Sequence, residues 1–355
     1  MRYYVNSPLA RVLSPDDARW QEFLDRAPHD VYHLREYVRF SGMHEGAEPV
    51  AFWAEQGNHA VLVPMLVRTL PQELRAPTDW FDATSPYGYP GPIATQGIAP
   101  ETLRCLLLAI RDMARERGIV SAFVRLNPFR SAPPAAFESV GTVVNHGPVV
   151  YVDLSKSPDD WWAETRDGHR YDIGRLRRLG YSVEIDDWSA YPAFRTMYAA
   201  TMARVSASQY YHFSDEYFDE LRASMAKHLH LGTVRGPAGD IAASALFMRE
   251  GEIVSYHLSG TADDHLRFAP SKLMLHVVRQ WAKEQGAQLL NLGGGFGGKA
   301  GPLYQFKAGF SRSQADFHSV RIVCDTERYD DLTRARHEVR PIDTTTDGFF
   351  PSYRQ

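Results

Sequence analysis

Cysteine and lysine are both scarce in this 355-residue chain. Its two cysteines, Cys105 and Cys324, fit no CxxC-type metal spacing and imply no disulfide framework, so buried free thiols are the expectation. No apolar run reaches eighteen residues, which excludes a spanning helix, and the amino-terminal MRYYVNSPLARVLSPDD has no apolar core of a secretory signal. A cytoplasmic protein is therefore expected. Strong charge of either sign is also missing. The formal net charge is −4, which argues against a strongly basic duplex-DNA binder yet leaves room for a local basic groove. Only six of the 39 basic residues are lysine, leaving 33 arginines. With abundant alanine and glycine, this fits a GC-rich bacterial coding sequence. No GxxxxGK[ST] phosphate loop occurs, and no heptad run is long enough for a coiled-coil arm.

Against that background one segment stands out. Residues 291–310, NLGGGFGGKAGPLYQFKAGF, hold seven glycines, four aromatics and two of the six lysines. Glycine lets backbone approach closely and reach positive φ, at a cost in folding entropy that a dense cluster must justify. The segment reads as a glycine-rich loop delivered by a strand over 288–292.

The length suggests about two domains. Helical periodicity or start signals mark 16–26, 31–40, 100–117, 191–204, 215–228, 271–285 and 327–339, with a basic helical region over 159–179 ending at Gly180. Strands are predicted at 50–54 and 60–67 around Gln56-Gly57-Asn58, then at 120–126 and 143–152. Further strands are expected at 231–234, 241–248, 253–258 and 317–325. The Pro- and Gly-punctuated 85–93 reads as an irregular loop showing Tyr87 and Tyr89, and the tail from Pro341 as loose. Each half thus gives helices, an antiparallel meander, a helix and a strand. The order predicts a mixed α/β (α+β) chain built from two acyltransferase-like domains, with a break near 148–158 where Ser155-Lys156-Ser157-Pro158 ends the periodicity.

Four segments then carry a family resemblance: Ser85-Pro-Tyr-Gly-Tyr-Pro-Gly-Pro92, the basic stretch Arg166–Val183, Ser255-Tyr-His-Leu-Ser-Gly-Thr261 with Ala269-Pro270, and Leu292-Gly-Gly-Gly295 with Leu303-Tyr-Gln-Phe-Lys-Ala-Gly-Phe310. The chain resembles the Fem (FemABX) family of aminoacyl-tRNA-dependent peptidyltransferases, built from two tandem GNAT-like domains. The resemblance implies domain 1 over 1–148, completed by 319–355, and domain 2 over 149–318. It implies transfer of an amino acid from aminoacyl-tRNA to a primary amine of a peptide-like acceptor, a peptidoglycan precursor or a peptide natural product. No metal or organic cofactor is implied, and a monomer is expected. Peptidoglycan-directed members tend to carry an acid after the Gly-Pro of the first domain. Here Gly91-Pro-Ile-Ala-Thr-Gln96 has none, which weakens the cell-wall acceptor and keeps the peptide-antibiotic branch open.

Aminolysis of an ester needs a neutral amine, a held carbonyl and stabilisation of the oxyanion. By the resemblance, Lys307 supplies charge at the reacting centre or the tRNA end, and the Phe306 carbonyl accepts a hydrogen bond from the attacking amine. Lys299, Gly294, Gly295, Tyr256, Tyr87, Tyr89, Arg204 and Tyr211 are expected to bind substrate. Tyr256 and His257 should point to opposite faces of their strand. Arg170, Arg177 and Arg178 would track tRNA phosphates. His169 and His212 are candidate bases but read more readily as structural. The alternative is an acyl-CoA-dependent GNAT N-acyltransferase, with acyl-CoA as donor. It requires amides free for a pyrophosphate at a helix start, where Arg267-Phe-Ala-Pro-Ser-Lys-Leu273 offers no glycine and Pro270 removes one N–H.

Overall fold

The computed structural model describes residues 7–339 and 349–355. In chain order the elements are β1 (Leu9–Leu13), α1 (Ala18–Leu24), α2 (Arg35–Glu45), β2 (Glu48–Gln56), β3 (His59–Thr69), β4 (Phe81–Thr84), β5 (Ile93–Ala94), α3 (Pro100–Glu116), β6 (Ile119–Arg125) and β7 (Thr142–Asp153). There follow α4 (Pro158–Glu164), α5 (Asp167–Arg178), β8 (Ser182–Ile185), α6 (Tyr191–Arg204), α7 (Asp215–Ser224), β9 (Leu229–Arg235), β10 (Ile241–Glu250) and β11 (Ile253–Thr261). The last are α8 (Ser271–Glu284), β12 (Leu289–Gly293), α9 (Pro302–Ala308), β13 (Gln314–Val323) and α10 (Thr326–Val339). The chain divides into two compact units, residues 1–146 with 317–355 and residues 147–316, so both divisions fall inside strands, β7 and β13. Of the first unit, residues 1–6 and 340–348 lie outside the described residues, as do the first six of the amino-terminal stretch and 341–348 of the tail.

In the first unit the strand order is β1-β2-β3-β4-β6-β13. β2 and β3 close on the two-residue turn Gly57-Asn58, with Gln56 opposite His59 and Gly57 at φ 60°. β3 pairs antiparallel with β4, and β4 runs parallel to β6 across the helix α3. The apolar stripe of α3 (Leu103, Leu106, Leu107, Ile110, Met113) is buried against this sheet, and Gly118 at φ 78° ends the helix. Residues 349–355 are not loose: Tyr353 is fully buried with its hydroxyl 2.7 Å from Ser121 Oγ, and Arg354 pairs with the buried Asp82.

In the second unit the order is β7-β12-β11-β10-β9-β8. The motif repeats: a meander β9-β10-β11, then α8, then β12 parallel to β11. Helices α5, α8 and α9 share one apolar core with the sheet. Helix α6 packs on β10 and β11, where a Cβ on Gly260 would sit 2.5 Å from the backbone nitrogen of Tyr198.

Three expectations need correction. The basic region over 159–179 is two helices, because Thr165 is extended (ψ 127°) and turns its hydroxyl back to the Trp161 carbonyl at 2.6 Å. Helix α7 stops at Ser224, short of His228. Residues 302–308 are helical rather than loop, started by Pro302 in the first turn, where its missing N–H costs nothing.

Candidate functional site

The second unit opens where two of its strands part. β11 and β12 pair in parallel only from Ile253–Leu289 to Ser255–Asn291, although β11 continues to Thr261. Beyond Asn291, β12 shifts register against β7, and Gly293 turns at φ 77° with its N–H on Asn291 Oδ1 at 2.8 Å. On its other edge β11 carries a bulge. Leu246 opposes Leu258 but Phe247 opposes Tyr256, so His257 is the extra residue. A bulge breaks the two-residue alternation, and the expected opposite orientation of Tyr256 and His257 does not follow. Tyr256 stacks on Phe247 with ring centroids 5.4 Å apart, and burial raises its phenol to about 12. Burial also lowers His257 to about 4, so both side chains are neutral near pH 7. Ser255 Oγ is buried without a hydrogen-bond partner.

Lys307 lies beside this opening. It is 9% exposed, and its ammonium donates to the Gly294 carbonyl at 2.8 Å. Burial alone lowers it from 10.5 to about 8. Its carrier α9 is tied down by the start of α5. The Arg166 N–H donates to the Gly309 carbonyl at 2.9 Å, the Arg166 guanidinium to the Gln305 carbonyl, and His169 Nε2 to the Phe306 carbonyl at 2.9 Å. The His169 ring sits edge-on to Phe310 at 4.8 Å, directly over Gly309, where a Cβ would lie 2.4 Å from Nε2. Burial lowers His169, keeping it neutral with the proton on Nε2.

This arrangement revises the expected role of Phe306. Its carbonyl is not an open loop acceptor. The last turn of α9 directs it to the His169 Nε2–H and to the Gly309 N–H at 3.2 Å, which uses both lone pairs. His169 is likewise no base through Nε2, whose proton is committed. His212 is exposed, with Nε2 3.3 Å from the Ala207 carbonyl.

Gly294 and Gly295 are confined by neighbouring backbone. A Cβ on Gly295 would lie 2.1 Å from the Lys299 carbonyl, and one on Gly294 would lie 3.2 Å from the Pro148 carbonyl. Lys299 itself is exposed. Arg170 pairs with Asp167 and donates to the Trp162 carbonyl at 3.0 Å, while Arg177 and Arg178 are exposed in the last turn of α5. Arg204 and Tyr211 are not gathered with Lys307. Arg204 ends α6, ion-paired to Asp263 at 2.6 Å, and the Tyr211 carbonyl accepts from the Tyr198 hydroxyl at 2.9 Å. Helix α6 packs on β10 and β11 and contributes no residue to the core shared by α5, α8 and α9. In the first unit Tyr87 and Tyr89 are half-buried rather than on show. The Tyr87 carbonyl accepts from the Tyr37 hydroxyl at 2.9 Å, and the Tyr89 ring packs edge-on against Phe317 at 5.1 Å.

Beyond Ser271, the start of α8 is spent internally. Ala269 is left-handed (φ 52°), Pro270 has no N–H, and the amides of Lys272 and Leu273 donate to the carbonyls of Ala269 and Pro270, each at 3.0 Å. Composition also concealed a buried pair on α8. His276 and Arg279 lie one turn apart, with Arg279 donating to His276 Nδ1 at 2.7 Å and to Thr165 Oγ1 at 3.0 Å. Their i,i+3 spacing on an otherwise apolar face was the available signal.

Comparison with known proteins agrees with this topology. Residues 163–307 match the acetyltransferase (GNAT) domain family. No curated protein sequence matches the chain. Among solved structures, FemX is similar with a TM-score of 0.67 at 12% identity, over 87% of this chain and 96% of that one. L-PGS from Bacillus licheniformis is similar with a TM-score of 0.54 at 14% identity, over 91% and 97%. The carboxy-terminal domain of a putative lysylphosphatidylglycerol synthetase from Agrobacterium fabrum follows with 0.51 at 16%, over 85% and 92%. Residues 163–307, within the second unit, thus match the GNAT domain family, and the fold of the chain, two tandem GNAT-like units, is similar to that of FemX.

Proposed function

We propose that this protein is an aminoacyltransferase that moves an amino acid from aminoacyl-tRNA to a primary amine of a peptide-like acceptor, a peptide natural product or a peptidoglycan precursor. The observation that carries this reading over an acyl-CoA donor is the start of α8. Acyl-CoA enzymes of this fold set free amides there against a pyrophosphate. Here Pro270 has none to give, and the next turn donates to Ala269 and Pro270. The arginines of α5 and the cation of Lys307 instead suit an RNA ester as donor.

In the proposed reaction the acceptor's neutral amine attacks the ester carbonyl carbon and forms the C–N bond. The carbonyl oxygen takes up negative charge, then expels the terminal ribose oxygen. One proton leaves the amine and one reaches the departing ribose oxygen, so the step balances without a cofactor. Lys307 is the group we assign to the developing negative charge, since a buried ammonium acts strongly at low dielectric. Phe306 serves through its contact with His169, which fixes α9. Gly294 orients Lys307, and Tyr256 lines the opening. Lys299, Gly295, Tyr87, Tyr89, Arg204 and Tyr211 are left with packing or peripheral roles. We place the reaction in the cytoplasm, where charged tRNA is found.

The test incubates the purified protein with charged total tRNA and, in parallel, with acetyl-CoA, each with candidate amines. Acceptor-dependent loss of the tRNA ester is the expected result. Release of free CoA without consumption of tRNA would establish the acyl-CoA enzyme instead.

A further inference from the structure

In one corner of the second unit two arginines, Arg279 and Arg177, stand near each other with no ion-pair partner among the described residues. Arg279 is 1% exposed. Its guanidinium contacts only neutral groups: Thr165 Oγ1, the Trp161 carbonyl, His276 Nδ1 and the Trp161 ring at 5.8 Å. Its Nε is buried and has no partner. Burial and the nearby charge of Arg177 lower it to about 10, so it remains a cation at neutral pH. Arg177 is exposed, and among the described residues neither arginine has an ion-pair partner. The buried His276, lowered to about 3 by burial and by the same two arginines, adds no charge of its own.

A buried guanidinium is ordinarily paired, because desolvation is otherwise uncompensated. Over this corner lies an aromatic side chain that the proposed chemistry does not use. Trp162 is 36% exposed, its ring 5.2 Å from His276, and its carbonyl accepts from Arg170 at 3.0 Å. The surrounding stretch, residues 166–178, has five arginines against two aspartates in a chain of net charge −4. Asp167 is paired with Arg170 and Asp172 with Lys272, so among the described residues neither acid of this stretch is paired with Arg177.

We propose that the Trp162–Arg177 corner, backed by Arg279, binds an unpaired nucleotide of RNA, with the base stacked on Trp162 and its phosphate at Arg177. Arg279 does not touch the ligand; it supplies charge from beneath, where low dielectric keeps it effective. A base with a phosphate beside it matches an aromatic face beside an unbalanced cation, and every base has a π-face to stack. The inference rests on the proposed RNA donor and identifies where its single-stranded end is gripped.

The experiment needs no turnover. Fluorescence anisotropy of labelled RNA hairpins, one with an unpaired 3′ tail and one blunt, gives Kd for the full-length protein and for Trp162→Leu, Trp162→Phe and Arg177→Ala, each checked for folding by thermal melting. Trp162→Leu should weaken the tailed hairpin roughly 5- to 50-fold and leave the blunt one unchanged, while Trp162→Phe stays within about threefold. Arg177→Ala should reduce the slope of log K against log salt by about 0.7 for the tailed RNA. A folded Trp162→Leu that binds the tailed hairpin like the unmodified protein, or loses both hairpins equally, overturns the inference and leaves the aminoacyl-tRNA reading standing. Failure of the unmodified protein to bind either hairpin at low salt overturns both.

Discussion

The ammonium of Lys307 donates to the carbonyl of Gly294 at 2.8 Å, and no ion-pair partner shares it among the described residues. A lysine held this way keeps its charge near neutrality but sits close to losing it. Two of its donor positions remain for a ligand, since an ammonium has three.

Lys307→Ala should therefore lower kcat by about 100- to 1,000-fold with the fold retained, the usual cost of one oxyanion donor. Circular dichroism and single-turnover aminolysis check both halves. In the unmodified protein the rate should decline as pH rises through about 8, where the ammonium is lost. Stability gives an independent reading. Between about 8 and 10.5 the unfolded chain holds a proton on this residue that the folded chain has released. Stability relative to Lys307→Met should thus rise with pH across that window, by an amount on the order of 3 kcal/mol. Parallel urea-melt profiles for the two proteins would contradict the assigned shift.

Much of this architecture was legible because its signals are local. The apolar periodicity of Leu103, Leu106, Leu107 and Ile110 marks α3, and Gln56-Gly57-Asn58 marks its hairpin. β4 was missed because a short strand buried along most of its length in the sheet shows no alternation, and β1 because it has five residues and an irregular pattern. Helix α9 was hidden by the glycines before it, although Pro302 was a usable start signal. At the site Lys307 was visible through lysine scarcity alone. The place of His169 was not, since in sequence it is one more residue of a basic helix. Its contact with Phe306 spans 137 positions and depends on the bare backbone of Gly309. The bulge at His257 is a relation between strands, so alternation within one strand could not reveal it.

Gly309→Ala tests that contact. The new methyl would lie 2.4 Å from His169 Nε2, so the imidazole must leave the Phe306 carbonyl or α9 must shift. Stability should drop by about 1–3 kcal/mol, as for other overpacked sites. Turnover should fall further than His169→Gln lowers it, because glutamine can still donate to the carbonyl. Thermal melts and steady-state rates on the two variants decide this, and equal rates would show that His169 does not position Lys307.

In the first unit, two buried groups are expected to hide each other's titration. Asp30 is 1% exposed and accepts from Asn127 Nδ2 at 3.1 Å and from the Val31 N–H at 2.6 Å; burial raises it from 3.8 to about 6. His33 is fully buried, donates from Nε2 to the Gly91 carbonyl at 2.9 Å and accepts the Asp30 N–H on Nδ1 at 3.0 Å; burial lowers it from 6.5 to about 4. Between 3.8 and about 6 the folded chain binds a proton on Asp30 that the unfolded chain lacks, so this term makes stability fall as pH rises. Between about 4 and 6.5 the unfolded chain binds a proton on His33 that the folded chain lacks, so this term makes stability rise with pH. Each is on the order of 3 kcal/mol, and over their common window they nearly cancel. Asp30→Asn removes the first term and exposes the second. Relative to the unmodified protein, the variant should gain stability by up to about 3 kcal/mol as pH rises from 4 to 6. Urea melts of both proteins across that range measure the difference directly, with all other titrating groups common to the two. A difference that stays constant with pH would mean that Asp30 is ionised in the folded chain throughout.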